Sequence, residues 1–325
     1  PKVGVLEGGG QVGYRGPGGR RVLAQCPRRG RGDELLRIGQ QLPESGYGLD
    51  EALVADALCG HLADPAAGVT HSVHQYVGRF RLADPDTFSI GNINRQLGAS
   101  VATVGRNKAE VTAEMVRSIN PEAQVEVIDQ PVSPANVDMF TAGADLVVDG
   151  VDFFALPARR ALFASARRAG ITAMTAAPLG FSATLHVFTP GGMSFDEYFD
   201  LRDDQPYYEQ LVHFFLGLAP SGLHLPYMDI GAVDPATGRG PSSVIGVQLA
   251  ASLLAAEGLR VLLNQGSTFA APHYLQFDAY RQRFRKGRLH RGNRGLGQRL
   301  KKQIFLRRLR QLGLDEAFKT LAEEG

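Results

Sequence analysis

RFRLADPDTFSIGNINR, residues 79–95, decides the fold. It reads as a buried strand from Arg79 to Ala83 that stops on Asp84, followed by a polar loop carrying Asn92, Asn94 and Arg95. In open α/β sheets ligands sit outside the carboxyl ends of the strands, so an acid delivered there suits a ribose hydroxyl. A guanidinium a few residues later supplies a planar donor fork that matches phosphate. One segment thus carries both halves of a nucleotide grip.

Two neighbouring segments extend it. Lys108 lies in VGRNKAEVTAEMVRSINP, near the start of an expected helix, and adds a flexible phosphate-seeking charge. ADLVVDGVD is a short apolar strand that again ends in carboxylates, Asp149 and Asp152. Mg²⁺ takes one or two carboxylates plus substrate phosphate oxygens, so this pair suits a metal post. Taken singly, each feature has a bland explanation, since a strand-end Asp is common as a cap or turn residue. The ordered set, Asp, Asn-x-x-Arg, Lys, then strand-Asp-x-x-Asp, is far more specific.

That ordered set resembles the ubiquitin-activating enzyme superfamily, and within it the bacterial ThiF/MoeB-type adenylyltransferases. The resemblance covers roughly Val77 to Gly266. It takes in ADPDTFSIGNINRQ, GRNKAEV, INP at Ile119 to Pro121, DLVVDGVDFF, the paired strands ITAMTAAPLG and FSATLHVFTPG, and the late helix GPSSVIGVQLAASLLAAEGLRVLL. It implies an α/β, Rossmann-like, mostly parallel sheet with helices on both faces and a mixed-strand extension. It implies that Asp84 binds the ATP ribose, that Asn92, Arg95 and Lys108 contact the phosphates, with Asn94 a further nucleotide-binding residue, and that Asp152 holds Mg²⁺. Arg95, Lys108 and Asp152 would then be the catalytic set. The activity implied is ATP-dependent adenylylation of the C-terminal carboxylate of a small ubiquitin-like or sulfur-carrier protein, by a homodimer. Two alternatives stay open: an ATP-dependent tRNA-base dehydratase of the same superfamily, and a pseudoenzyme that has lost nucleotide binding.

This sequence departs from the family pattern in several places. Members normally show Asn after the last Asp, where Phe153 stands here. Many carry two Cys-x-x-Cys pairs for structural zinc, which needs four ligands; Cys26 and Cys59 are the only cysteines, so no zinc is expected. No Arg-Tyr-x-Arg-Gln motif offers an arginine to a dimer partner. The glycine-rich turn expected upstream of the ribose Asp is replaced by CGHLADPAAGVTHSVHQYVG, interrupted by Pro65. Gly8, Gly10 and Gly13 satisfy G-x-G-x-x-G, but the following YRGPGGRRV is a poor helix, and an irregular lead-in is the preferred reading. A shifted reading frame upstream of about Val77 is one hypothesis for the composition there; resequencing that returned the same frame would remove it.

The remaining pattern divides the chain into residues 1–76, an irregular and helical lead-in; 77–266, the nucleotide-binding domain with a crossover region at about 191–241; and 267–325, a basic segment. Helices are expected over 33–41 and 49–63, and strands alternate with helices from Val77 onward. The crossover region is rich in aromatics; the family resemblance implies that it crosses over the site and shapes a channel for the protein substrate's tail, while buried aromatics by themselves fit a second small core. From Arg281 to Arg310 there are thirteen Lys or Arg and no acid. Two basic helices joined by a loop at 292–295 are expected there, serving as a surface face or protein-partner site in preference to a nucleic-acid site. A net charge of +2 with 44% apolar and 21% charged residues is ordinary for a globular chain. Val244 to Leu263 is interrupted by Gln248, Glu257 and Arg260, so a core helix rather than a membrane span is expected, with a cytoplasmic location by default.

Overall fold

The computed structural model describes residues 77–228, 243–265 and 269–311, together with the backbone of 52–54. All of these belong to one compact unit, Gly48–Gly325. The glycines at 8–13, the expected helix at 33–41, both cysteines and the Pro65 region lie outside the described residues.

One sheet organises this unit. Its strands are β1 (Ala52–Val54), β2 (Arg79–Ala83), β3 (Gln124–Ile128), β4 (Leu146–Asp149), β5 (Thr172–Leu179), β6 (Ser182–Phe188), β7 (His273–Asp278) and β8 (Arg283–Arg288). They lie in the order β3-β2-β1-β4-β5-β6-β7-β8. The pairings from β3 to β5 are parallel, and those from β5 to β8 are antiparallel. The fold is α/β and Rossmann-like, with a mixed extension.

The expectation of a helix over 49–63 fails at Ala52–Val54. This stretch is the central parallel strand, paired with Phe80 and Arg81 on one side and Leu146 to Val148 on the other. Two ladders satisfy its backbone groups, and such tertiary pairing overrides a weak local helical pattern.

Strand alternation distributes the core to both faces. Leu146 and Val148 of β4 join Phe80, Leu82, Met174 and Leu185 beneath α1 (Lys108–Ile119) and a long helix, Val244–Leu262. Val147 points the other way. It meets α2 (Val137–Thr141), α3 (Leu156–Arg168), α4 (Phe195–Phe199) and α5 (Tyr207–Leu218). The aromatics Phe195, Tyr198, Phe199 and Phe214 are buried in that second layer. For these four, burial is the reading that holds, and they join the main core instead of forming a separate one.

The long helix, α6, is apolar enough by length and composition to cross a membrane, yet it lies along β4, β5 and β6. Small residues permit this. A Cβ on Gly246 would stand 2.4 Å from the Gly180 carbonyl oxygen, so the helix touches the backbone of the turn between β5 and β6 there.

The basic segment does not form two helices. β8 is the last strand of the sheet, β9 (His290–Asn293) follows, and only Leu296–Gln311, α7, is helical. β7 needs a partner on its free edge, and RFRKGR pairs with it from Arg283 to Arg288. Gly287 lies over the Tyr274 ring, where a Cβ would be 2.2 Å from the nearest ring atom. The sheet therefore runs past residue 266 into the segment that the sequence set apart.

Candidate functional site

The carboxyl end of β2 and the first turn of α1 are joined by a compact polar knot. Asn107 caps α1: its Oδ1 accepts from Glu110 N–H at 3.0 Å, and its Nδ2 donates to the Asp84 carbonyl at 2.9 Å. The Lys108 backbone N–H donates to the Asp86 carbonyl at 2.9 Å. These bonds fix Lys108 so that its Nζ lies 2.9 Å from Asp86 Oδ2 and 3.9 Å from Asp84 Oδ2. Asp84 Oδ1 accepts from Asp86 N–H at 2.9 Å. Asp84 and Lys108 side chains are 15% and 9% exposed, whereas Asp86 is 69% exposed. Asp86 is therefore the partner that water screens most, and the one whose pairing with Lys108 is easiest to exchange for another anion.

Asn92, Asn94 and Arg95 form their own knot on the connecting loop. Asn92 Oδ1 accepts from Ser89 N–H at 2.9 Å and so braces the single 3₁₀ turn Ile90–Asn92. Arg95 Nη1 donates to the Gly91 carbonyl at 2.8 Å and to Asn94 Oδ1 at 3.0 Å. Arg95 is half-buried and Asn94 is exposed. No direct bond links this knot to Asp84 or Lys108; the loop is anchored to the α1 side through Phe88, which exchanges backbone bonds with Gly105 and Arg106.

The third group follows β4. Since β1 separates β2 from β4, the ends of those two strands lie two strands apart on one edge, roughly 10 Å by strand spacing. Here the paired metal post is corrected. Asp149 is fully buried, and its Oδ2 accepts from Arg159 Nε at 2.6 Å while Oδ1 accepts from Val151 N–H at 2.9 Å. Both oxygens are engaged inside the protein, so Asp149 is an anchor and not a ligand. Arg159 also donates to the carbonyls of Val151 and Asp152, and its guanidinium lies 4.8 Å from the Phe214 ring centroid. Asp152 alone stays exposed, with Oδ1 accepting from Phe154 N–H at 2.9 Å as the chain enters α3. Among the described residues no three His, Cys, Asp or Glu gather closely enough to hold a metal by themselves. Phe153, at the position where the family pattern has Asn, packs 5.3 Å from Phe214 between ring centroids.

Sequence reasoning thus missed Asp86, Asn107 and Arg159. Asn107 with Glu110 three residues later is a readable N-cap signal. Asp86 has no such signal, and neither does Arg159, which meets Asp149 only because α3 folds back over β4.

Comparisons with known proteins agree with this architecture. The ThiF family pattern matches residues 66–296, which includes β7, β8 and β9. The chain is similar to a Haemophilus influenzae tRNA threonylcarbamoyladenosine dehydratase, 44% identical over 77 residues, covering 23% of this chain and 30% of that protein. It is 28% identical over 265 residues to the Escherichia coli molybdopterin-synthase adenylyltransferase, covering 79% of this chain and 94% of that one. The matched stretch thus spans under a third of the first relative and nearly all of the second. Among solved structures, Escherichia coli MccB with succinimide shares the fold, with a TM-score of 0.54 at 17% identity over 77% of this chain and 66% of that chain. With the family pattern matched over most of its length, this chain belongs to the ThiF family.

Proposed function

We propose that this protein adenylylates the C-terminal carboxylate of a small ubiquitin-like or sulfur-carrier protein with ATP. The carboxylate oxygen attacks the α-phosphorus, the bond to the bridging oxygen breaks, and pyrophosphate leaves. No general base is needed, since a C-terminal carboxylate is ionised near neutral pH. Asp84 holds the ribose hydroxyls and so orients the α-phosphorus. Lys108 exchanges its exposed partner Asp86 for a phosphate oxygen. Arg95, with Asn92 and Asn94 bracing its loop, supplies a second cation to the phosphates. Fixed cations placed where charge develops lower the barrier most when they need no reorganisation. Asp152 suits Mg²⁺, since its carboxylate is exposed and a single carboxylate plus phosphate oxygens is an ordinary Mg²⁺ donor set. The ion would neutralise phosphate charge there.

The observation that supports the reading most is the approach of Asp84 and Lys108 to 3.9 Å at the end of β2, on the edge that also carries the β4 end. ATP–pyrophosphate exchange tests it. Exchange should appear only with a carrier protein and be abolished by Arg95→Ala and by Asp152→Ala; exchange unaffected by both substitutions refutes the assignment. A homodimer in the cytoplasm is part of the proposal, and sedimentation of the purified chain checks the oligomeric part.

One observation favours a second reading, action on tRNA. Of the thirteen basic residues from Arg281 to Arg310, only Arg294 and Lys302 reach a carboxylate among the described residues. The Haemophilus relative is named for a tRNA substrate. ATP binding without any carrier, together with salt-dependent tRNA association, decides for this reading. No nucleotide binding at all decides for a pseudoenzyme.

A further inference from the structure

A second site, separate from the strand-end residues, opens as a cleft of about 510 Å³ between α5, α7 and the turn that follows α4. Its floor is rigid. The buried Asn293 Nδ2 donates to the carbonyls of Phe199 at 2.9 Å and His213 at 2.6 Å, and its Oδ1 accepts from Gln298 Nε2 at 2.9 Å. Every polar atom of that side chain is thus occupied within the protein.

The wall carries a polarised chain of groups. His213 Nδ1 lies 2.8 Å from the Asp200 carbonyl oxygen, and its Nε2 lies 2.7 Å from Lys302 Nζ. An ammonium can only donate, so Nε2 accepts and the imidazole proton sits on Nδ1. His213 is therefore neutral here; burial foremost, and the Lys302 charge, hold its pKa below the usual value against the pull of the Asp200 carbonyl. Lys302 gives a second proton to Glu209 Oε2 at 3.1 Å. An ammonium has three.

The charge around this wall is unbalanced. Four cations line the cleft, Arg202, Arg294, Arg299 and Lys302, against the two carboxylates Asp200 and Glu209. Arg294 pairs with Asp200 at 3.1 Å and Arg202 with Asp204 at 3.1 Å. Arg299 is exposed, stands one turn before Lys302 on α7, and meets no carboxylate among the described residues. A third ammonium proton and a whole guanidinium fork are thus left at a cleft whose floor has no acceptor to spare in Asn293.

We propose that this cleft is a binding site for a small ligand bearing a carboxylate or phosphate group, held by Lys302 and Arg299 with Arg294 and Arg202 at its rim. The volume falls in the range of small-molecule pockets, and charge-assisted bonds to a guanidinium and an ammonium are the strong kind. The site stands independently of the nucleotide reading.

Isothermal titration of the full chain at low salt, with inorganic phosphate and with citrate separately, tests it and separates the two oxyanion chemistries. Saturable binding of one probe is expected, weakened about tenfold, or about 1.4 kcal/mol, by Arg299→Gln and unchanged by Lys108→Gln. Arg299 is exposed, so its variant keeps the fold; Lys302→Gln should weaken binding at least as much. The ¹⁵N resonances of His213 should shift during the titration in the unsubstituted chain. Binding that is lost in Lys108→Gln but intact in Arg299→Gln assigns the anion to the strand-end residues and overturns the proposal. So does the absence of saturable binding of either probe at concentrations up to about 10 mM, where affinity is too weak to matter.

Discussion

Removing Arg159 should damage stability more than any exposed arginine substitution, and the structure sets the size. The Asp149 carboxylate is fully enclosed, and Arg159 Nε is its only charged partner among the described residues, at 2.6 Å. In Arg159→Met the charge of Asp149 stays buried with the Val151 N–H alone. Breaking a buried pair from one side costs about 3–5 kcal/mol, because the remaining charge is left without compensation. The contact with the Phe214 face and the two carbonyl bonds are lost as well. We expect about 4 kcal/mol, a large share of the roughly 5–15 kcal/mol that holds a typical domain folded. The chain has no Trp, so urea unfolding is followed by far-UV circular dichroism; the midpoint should fall while the slope is retained. The paired variant Asp149→Leu with Arg159→Met exchanges the ion pair for apolar groups and should recover most of the loss. A loss below about 1 kcal/mol in Arg159→Met, or a double variant no better than the worse single one, refutes this account. An Asp149→Asn chain that keeps full stability and loses only Mg²⁺-dependent exchange would restore Asp149 as a metal ligand.

Three further outcomes follow from the same geometry. Burial pushes the His186 imidazole down to about 3 and that of His224 down to about 4, while an unfolded histidine titrates near 6.5. The unfolded chain thus binds protons that the folded chain refuses, so stability should fall as pH drops from about 6 toward 4, by about 1.4 kcal/mol per pH unit for each histidine. Urea midpoints between pH 7 and 4.5 measure this, and an unchanged slope in His186→Gln would remove His186 from the account. Gly246→Ala should lower the melting temperature, since its Cβ meets the Gly180 carbonyl at 2.4 Å, whereas Gly297→Ala on α7 meets nothing within 4 Å and should gain up to about 1 kcal/mol; a neutral Gly246→Ala would disprove the close approach. Asp84→Asn should weaken ATP binding at least about tenfold, as expected for losing a charged hydrogen-bond acceptor, and Asp86→Asn much less, because Asp86 is mostly exposed and only exchanges with the ligand; equal effects by equilibrium titration would contradict those two roles.

Much of this protein was legible without coordinates. Alternation fixed β2 and β3 to the residue, because each is a short alternating run bounded by turn formers. The ordered acids and cations pointed to the family through their spacing: Asp84 follows a strand, Lys108 starts a helix and Arg95 lies on the loop between them. Tertiary structure alone decided the rest. Ala52–Val54 became the central strand because the sheet needed a partner between β2 and β4, a demand that no local pattern carries. Residues 283–288 became an edge strand because β7 left its ladder open. Asp149 and Asp152 look equivalent in ADLVVDGVD, yet one is buried against Arg159 and the other is exposed. Ten residues separate Asp149 from Arg159 along the chain, and only the packing of α3 over β4 brings their charges together. Sequence carries local geometry well; which charges meet across it depends on how layers stack, and that is a property of the whole fold.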